Sequence, residues 1–93
     1  MNASSKRSAT IRIANKKGLH ARASAKVVEA AARFQSEIMV TKDGQSVNAR
    51  SIMGLMMLAA SLGSEVEISA EGLDCDEAMA AILALAEAKF GEE

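Results

Sequence analysis

Tryptophan and tyrosine are absent from this chain, and Phe34 and Phe90 are its only phenylalanines. It therefore lacks the stacking platforms on which unpaired bases rest. A formal net charge of −1 adds no general attraction to phosphate backbones, so nucleic-acid binding is not expected. The single cysteine, Cys75, cannot close an internal disulfide, and no Cys or His stands at zinc-ligand spacing from it. Both facts fit a reducing, cytoplasmic setting without a structural metal. No apolar run is long enough to span a bilayer, and the stretch from Met1 to Ser8 lacks the hydrophobic core of a signal peptide. No glycine-rich phosphate loop is present, so no nucleotide cofactor is expected and any phosphoryl group would have to come from a partner protein.

What remains is a balanced globular composition, 49% hydrophobic and 25% charged over 93 residues, enough for one compact domain and too little for two. Residues 1–9 read as a mobile tail and residues 10–91 as the domain. Ile11-Arg12-Ile13 alternates as a half-buried strand, and Asn15-Lys16-Lys17-Gly18 supplies loop chemistry. From Ala21 to Phe34, the residues Ala23, Val27, Ala31 and Phe34 recur at helical spacing. Ile38 to Thr41 and Ser46 to Asn48 read as strands joined by Asp43-Gly44, a dipeptide suited to a tight hairpin. Ser51 to Ala60 reads as a short helix closing near Gly63. Val66 to Ala70 alternates again, and Asp74 with Glu77 resembles a capping box ahead of Ala78, Ile82, Leu85 and Phe90. The order β-α-β-β-α-β-α is an α+β arrangement in which one four-stranded antiparallel sheet carries three helices on one face.

His20 is the only histidine, and it falls at the predicted start of a helix rather than on its apolar stripe. Helix N-termini present N–H groups without intrahelical partners and a partial positive charge, which suits an anion such as a phosphoryl group. Imidazoles titrate near neutrality, so a ring nitrogen can attack phosphorus without a separate strong base. Arg22, two residues on, is placed to meet phosphate oxygens. The same spacing also fits a plain capping histidine beside a solvated arginine. Ser51 has two readings as well, a helix N-cap or a phosphorylation site at which added negative charge is tolerated. With Leu55, Leu58 and Ala59 turned inwards, Ile52, Met53, Met56 and Ala60 would form an exposed, adaptable patch beside Arg50. The alternative is a buried helix or a homodimer face. Asp74, Asp76 and Glu77 occur where helix-capping acids belong, not as metal ligands.

Gly18-Leu19-His20-Ala21-Arg22 closely resembles the active-site motif of HPr, the histidine-containing carrier of the bacterial phosphoenolpyruvate phosphotransferase system. A second block, Asn48-Ala49-Arg50-Ser51-Ile52-Met53-Gly54-Leu55-Met56, is similar to the family's regulatory serine segment, and the resemblance covers roughly residues 10 to 90. It implies an open-faced β-sandwich and a carrier, not an enzyme. On this resemblance His20 accepts the group on Nδ1 from Enzyme I and delivers it to Enzyme IIA-type proteins, with Arg22 as electrostatic partner. Ser51 becomes the target of an HPr kinase/phosphorylase, and Arg50, Ile52, Met53, Met56 and Ala60 become docking residues of a monomer. The chain departs from many relatives at Ala23, where they carry proline. The implied consequence is a free backbone N–H and a less rigid helix start. Two rivals stand beside the carrier: a non-transferring regulatory module of the same fold, and a small dimer joined through its methionine patch.

Overall fold

A computed structural model describes residues 5–92. Its elements are β1 (Ser5–Arg12), α1 (Ala21–Ala31), β2 (Glu37–Lys42), β3 (Gln45–Asn48), α2 (Ile52–Met57), β4 (Glu65–Gly72) and α3 (Cys75–Glu87), followed by a 3₁₀ turn at Lys89–Gly91. The strands form one antiparallel sheet in the order β1-β4-β2-β3. With three helices against it, this is the open-faced β-sandwich the sequence predicts.

Alternation along the strands decides which face is covered, because successive side chains point to opposite sides of a sheet. Val66, Ile68 and Ala70 are buried while Glu65, Glu67 and Glu71 are exposed. The register sets Ile38 opposite Ala70 and Val40 opposite Ile68, so the apolar residues of β2 and β4 share the covered face. Val27, Leu55, Ile82 and Phe90 close over it. The other face carries polar contacts such as Thr41 Oγ1 to Ser46 Oγ at 2.6 Å and Arg12 to Glu65 at 2.8 Å. Asp43 and Gly44 form the hairpin turn with φ of 52° and 80°, as a tight antiparallel connection requires.

Several boundaries differ from the sequence reading. The expected tail over residues 1–9 gives way to strand at Ser5, which pairs with Gly72, and pairing continues to Arg12 opposite Glu65. Backbone hydrogen bonds need no apolar side chains, so Ser5-Lys6-Arg7-Ser8 joins an edge strand without any hydrophobic alternation. Residues 1–4 of the expected tail lie outside the described residues. Helix α2 ends at Met57, and Ala59 adopts φ of 54°. That left-handed residue breaks the helical phase, and it reverses two expectations: Ala59 is exposed, whereas Ala60 is buried at 4% exposure. Helix α3 ends at Glu87, leaving Phe90 to reach the core from the 3₁₀ turn.

The capping box at Asp74 and Glu77 is also corrected. Asp74 occupies the N-cap position of α3 but makes no side-chain cap bond. Its carboxylate instead accepts from the N–H groups of Gln35 (2.9 Å) and Ser36 (2.8 Å) and from the Ser36 hydroxyl, tying the α1–β2 turn to the start of α3. These bonds, the Ser36 hydroxyl foremost and then the Gln35 amide, hold the Asp74 carboxyl below its ordinary 3.8. A lowered folded-state value means that this contribution to stability is complete above the unfolded value and fades as pH falls through the lowered one. Asp74→Asn is therefore expected to flatten the loss of stability below about pH 4. Urea midpoints measured across that range test it, and an unaltered acid slope in the variant would contradict the role given to Asp74.

Candidate functional site

His20 is the N-cap residue of α1, in extended backbone with φ −77° and ψ −175°. The turn before it depends on Gly18, which has φ of 64°. Gly18 lies so close to the chain at Ala60 and Ser61 that an added Cβ would overlap the Ala60 carbonyl oxygen. Leu19 buries its side chain and donates its N–H to that same carbonyl at 2.9 Å. Buried Ser24 donates its hydroxyl to the Leu19 carbonyl at 3.1 Å, and its N–H bonds to His20 O at 2.8 Å. Fixed from both sides, the imidazole keeps 26% of its side-chain surface exposed.

Both ring nitrogens have partners. Nδ1 accepts from the Ala23 N–H at 3.2 Å, so the amide expected to be free is engaged with the histidine itself. Nε2 lies against the Glu92 carboxylate. A carboxylate only accepts, and an amide N–H only donates, so the network assigns the proton to Nε2 and leaves the lone pair on Nδ1.

Glu92 and Asn15 are the site residues that sequence reasoning missed. Asn15, fully buried, donates from Nδ2 to Gly18 O at 2.8 Å and to Glu92 Oε1 at 3.0 Å. The Asn15 bond is the largest influence holding the Glu92 carboxyl below its ordinary 4.5. Charge from Lys17 and Arg22, and from the His20 ring when it is protonated, adds to it, against the upward push of burial. Glu92 gets there through a strained turn, with Lys89 and Phe90 at φ of 55° and 54°. A left-handed residue costs about 1–2 kcal/mol, while burying one phenylalanine stabilises by about 1.5–3 kcal/mol. Burial of Phe90 roughly offsets two strained residues, which leaves the contacts of Glu92 to set where the C-terminal segment rests. No local pattern announces Glu92, which is distant from His20 in sequence. Asn15 reads from sequence only as loop.

Arg22 is exposed in the first turn of α1 and borders a shallow depression with Lys16, Lys17, Gly91 and Glu92. Three cations thus share this depression with Glu92, the residue whose carboxylate meets His20. Ser51 is the N-cap of α2, its Oγ accepting from the Gly54 N–H at 3.0 Å. The Arg50 guanidinium is directed at the carbonyls of Ala31, the last residue of α1, and Phe34 just past it, so it links α1 to the start of α2 while the residue stays exposed. Ile52, Met53 and Met56 are exposed as expected, and Met57 and Leu62 join them. Ala60 is excluded by its burial. Asp74 and Asp76 do not converge on a metal position: Asp74 faces Ser36, and Asp76 pairs with Arg7 at 2.8 Å.

Residues 7–88 match the family model described as the PTS HPr component phosphorylation site. The chain belongs to the HPr family. It is 52% identical over 80 residues to the phosphocarrier protein HPr of Cupriavidus necator, covering 86% of this chain and 90% of that protein. The crystal structure of HPr-C-His from Thermoanaerobacter tengcongensis superposes with a TM-score of 0.90 at 53% identity, covering 94% of this chain and 98% of that one. A structure of an HPr dimer from the same organism gives a TM-score of 0.75 at 54% identity, covering 90% of this chain and 97% of that one. Membership places the chain among the phosphocarriers of the phosphotransferase system. Because dimeric HPr exists, membership alone does not make this chain a monomer.

Two measurements test the site's construction. Gly18→Ala is expected to lose at least about 2 kcal/mol of stability, since the added methyl meets backbone at a left-handed φ. A urea midpoint close to wild type would contradict that reading. Asn15→Ala should move the Glu92 carboxyl back up towards its ordinary value, followed by the carboxyl-carbon shift in an NMR titration. No movement would mean that Asn15 does not govern Glu92.

Proposed function

We propose that this chain accepts a phosphoryl group on Nδ1 of His20 from phosphorylated Enzyme I and passes it to Enzyme IIA-type proteins in the cytoplasm. The observation that carries this reading is the pairing of the ring: Nδ1 holds the lone pair at a helix N-terminus, and Nε2 faces a carboxylate. The Nδ1 lone pair attacks phosphorus while the bond from phosphorus to the donor breaks, its electron pair returning to the donor atom. Nε2 keeps its proton, so the ring gains a positive charge, and Glu92 stands beside it as the counter-charge. Arg22, with Lys16 and Lys17 around the same depression, meets the phosphoryl oxygens as charge builds on them. Onward transfer runs the same exchange in reverse, with the acceptor's nitrogen as nucleophile.

The exposed Ile52, Met53 and Met56, extended by Met57 and Leu62, supply a docking surface. Thioether side chains adapt to differing partners, as a carrier with a donor and several acceptors requires. Phosphorylation of Ser51 by an ATP-dependent HPr kinase/phosphorylase would put about −1.5 to −2 charges at the edge of this apolar surface. The effect is a desolvation and charge penalty on docking, without unfolding α2. The carrier acts as a monomer in this reading, with its patch free for each partner in turn.

Incubation with Enzyme I and phosphoenolpyruvate, followed by intact mass, is expected to add one acid-labile phosphate to the wild type and none to His20→Ala. Arg22→Ala should slow loading by about tenfold, the loss of one charge-assisted contact, and Ser51→Asp should slow it through weaker docking. Absence of any adduct on folded protein with active Enzyme I would overturn the carrier reading in favour of a non-transferring regulator.

A further inference from the structure

The Ala23 N–H makes the N-cap bond of α1 to His20, and because its acceptor is the reactive ring nitrogen this cap bears on loading as well. It lies in the first turn of α1, where backbone N–H groups have no intrahelical acceptor, and its partner is the ring atom carrying the reactive lone pair, at 3.2 Å. Ala23 itself is fully buried, so the surrounding chain fixes this amide in place. When Nδ1 commits its electron pair to phosphorus, the bond to Ala23 can no longer exist. Phosphorus on Nδ1 cannot share the 3.2 Å gap with this amide, so loading requires the ring to turn aside, and the donor is then left facing the phosphoryl oxygens.

We propose that the Ala23 N–H is handed from Nδ1 of the free histidine to an oxygen of the phosphoryl group once His20 is loaded. The proposal rests on the carrier reading above and adds a determinant of how much phosphoryl the chain holds at equilibrium. In the loading step the Nδ1–phosphorus bond forms and the donor's bond to phosphorus breaks. The electron pair of that bond leaves with the donor, and no proton moves. The ring turns aside, and the acceptor of the Ala23 hydrogen bond changes from a neutral ring nitrogen to an anionic oxygen. Hydrogen bonds to charged acceptors are about twice as strong as those between neutral groups. The exchange therefore favours the loaded state, and it prevents a buried donor from being stranded. The side chain at position 23 takes no part, so the effect belongs to any residue there that keeps its N–H, and only proline removes it.

The test uses the intact chain loaded by Enzyme I and phosphoenolpyruvate. In the wild type, a scalar coupling across the hydrogen bond between the Ala23 amide and phosphorus is expected after loading, with a downfield shift of that amide proton. Ala23→Pro should lower the equilibrium constant for loading by about fivefold, and Ala23→Gly, which keeps the donor, should recover most of the loss. The proline variant's fold is checked by its amide spectrum, and the wild-type coupling does not depend on it. A loaded wild type whose Ala23 amide shows neither coupling nor shift overturns the hand-off while leaving the carrier reading intact. So does a folded proline variant that loads as fully as wild type. Failure of the wild type to load at all is a different result, and it removes the carrier reading on which the hand-off rests.

Discussion

The bond from the Leu19 N–H to the Ala60 carbonyl joins the two stretches of chain on which everything else depends. One is the loop that delivers His20 to the start of α1, and the other is the end of α2, whose exposed face carries the methionine patch. Gly18 makes this junction possible, because its backbone packs against Ala60 and Ser61 where no Cβ fits. Ala60 is turned inwards by the left-handed Ala59, so it serves as the anchor for the histidine loop and not as part of the surface beside it. The loop bearing His20 and the segment after the apolar patch are joined by backbone contacts. Their relative placement does not depend on the identity of any exposed side chain.

Around that junction the site is assembled from groups that helix formation leaves unused. The first turn of α1 supplies a free amide to Nδ1, and a strained turn after α3 supplies a carboxylate to Nε2. Neither partner is strong alone: the amide bond is 3.2 Å long, and the carboxylate arrives on a segment whose strain roughly cancels the burial of Phe90. Together they fix the tautomer and orient the ring, because the amide can only donate and the carboxylate can only accept. Asn15 matters because it uses one amide group to bond both the Gly18 carbonyl and Glu92. It thereby couples the loop before the histidine to the C-terminal segment beside it.

Most of the fold was legible in the sequence, since it is written in burial alternation and helical periodicity. Val66-Glu67-Ile68 and Ile38-Met39-Val40 could only be strands with one covered face, and Asp43-Gly44 could only be a turn. The failures share one cause. Ser5 to Ser8, Ala59, Ala60 and Asp74 are governed by backbone pairing, a left-handed residue and long-range hydrogen bonds, none of which leaves a periodic signature. The helix-start positions of His20, Arg22 and Ser51 were legible because a helix start is a local feature. Glu92 was not, because only the tertiary turn at Lys89–Gly91 brings it to the ring. The contacts of Arg50 with helix-end carbonyls were hidden for a related reason, since an exposed arginine and one directed at such carbonyls look alike in sequence.

The charges around His20 bear on how a carrier can be neither too loose nor too tight. Lys16, Lys17 and Arg22 line a depression that favours an anion, but Glu92 already sits among them as a negative charge with a lowered carboxyl value. On the proposed reading, an arriving phosphoryl group gains the cations and the α1 amide while being repelled by Glu92. The ring, made positive by loading, is in turn stabilised by that same carboxylate. The two effects of Glu92 oppose each other, so the loaded state is held by a modest net difference and not by the full attraction of three cations. A group intended for onward transfer needs such a balance, because every contact that holds it more tightly must be given up again to the acceptor.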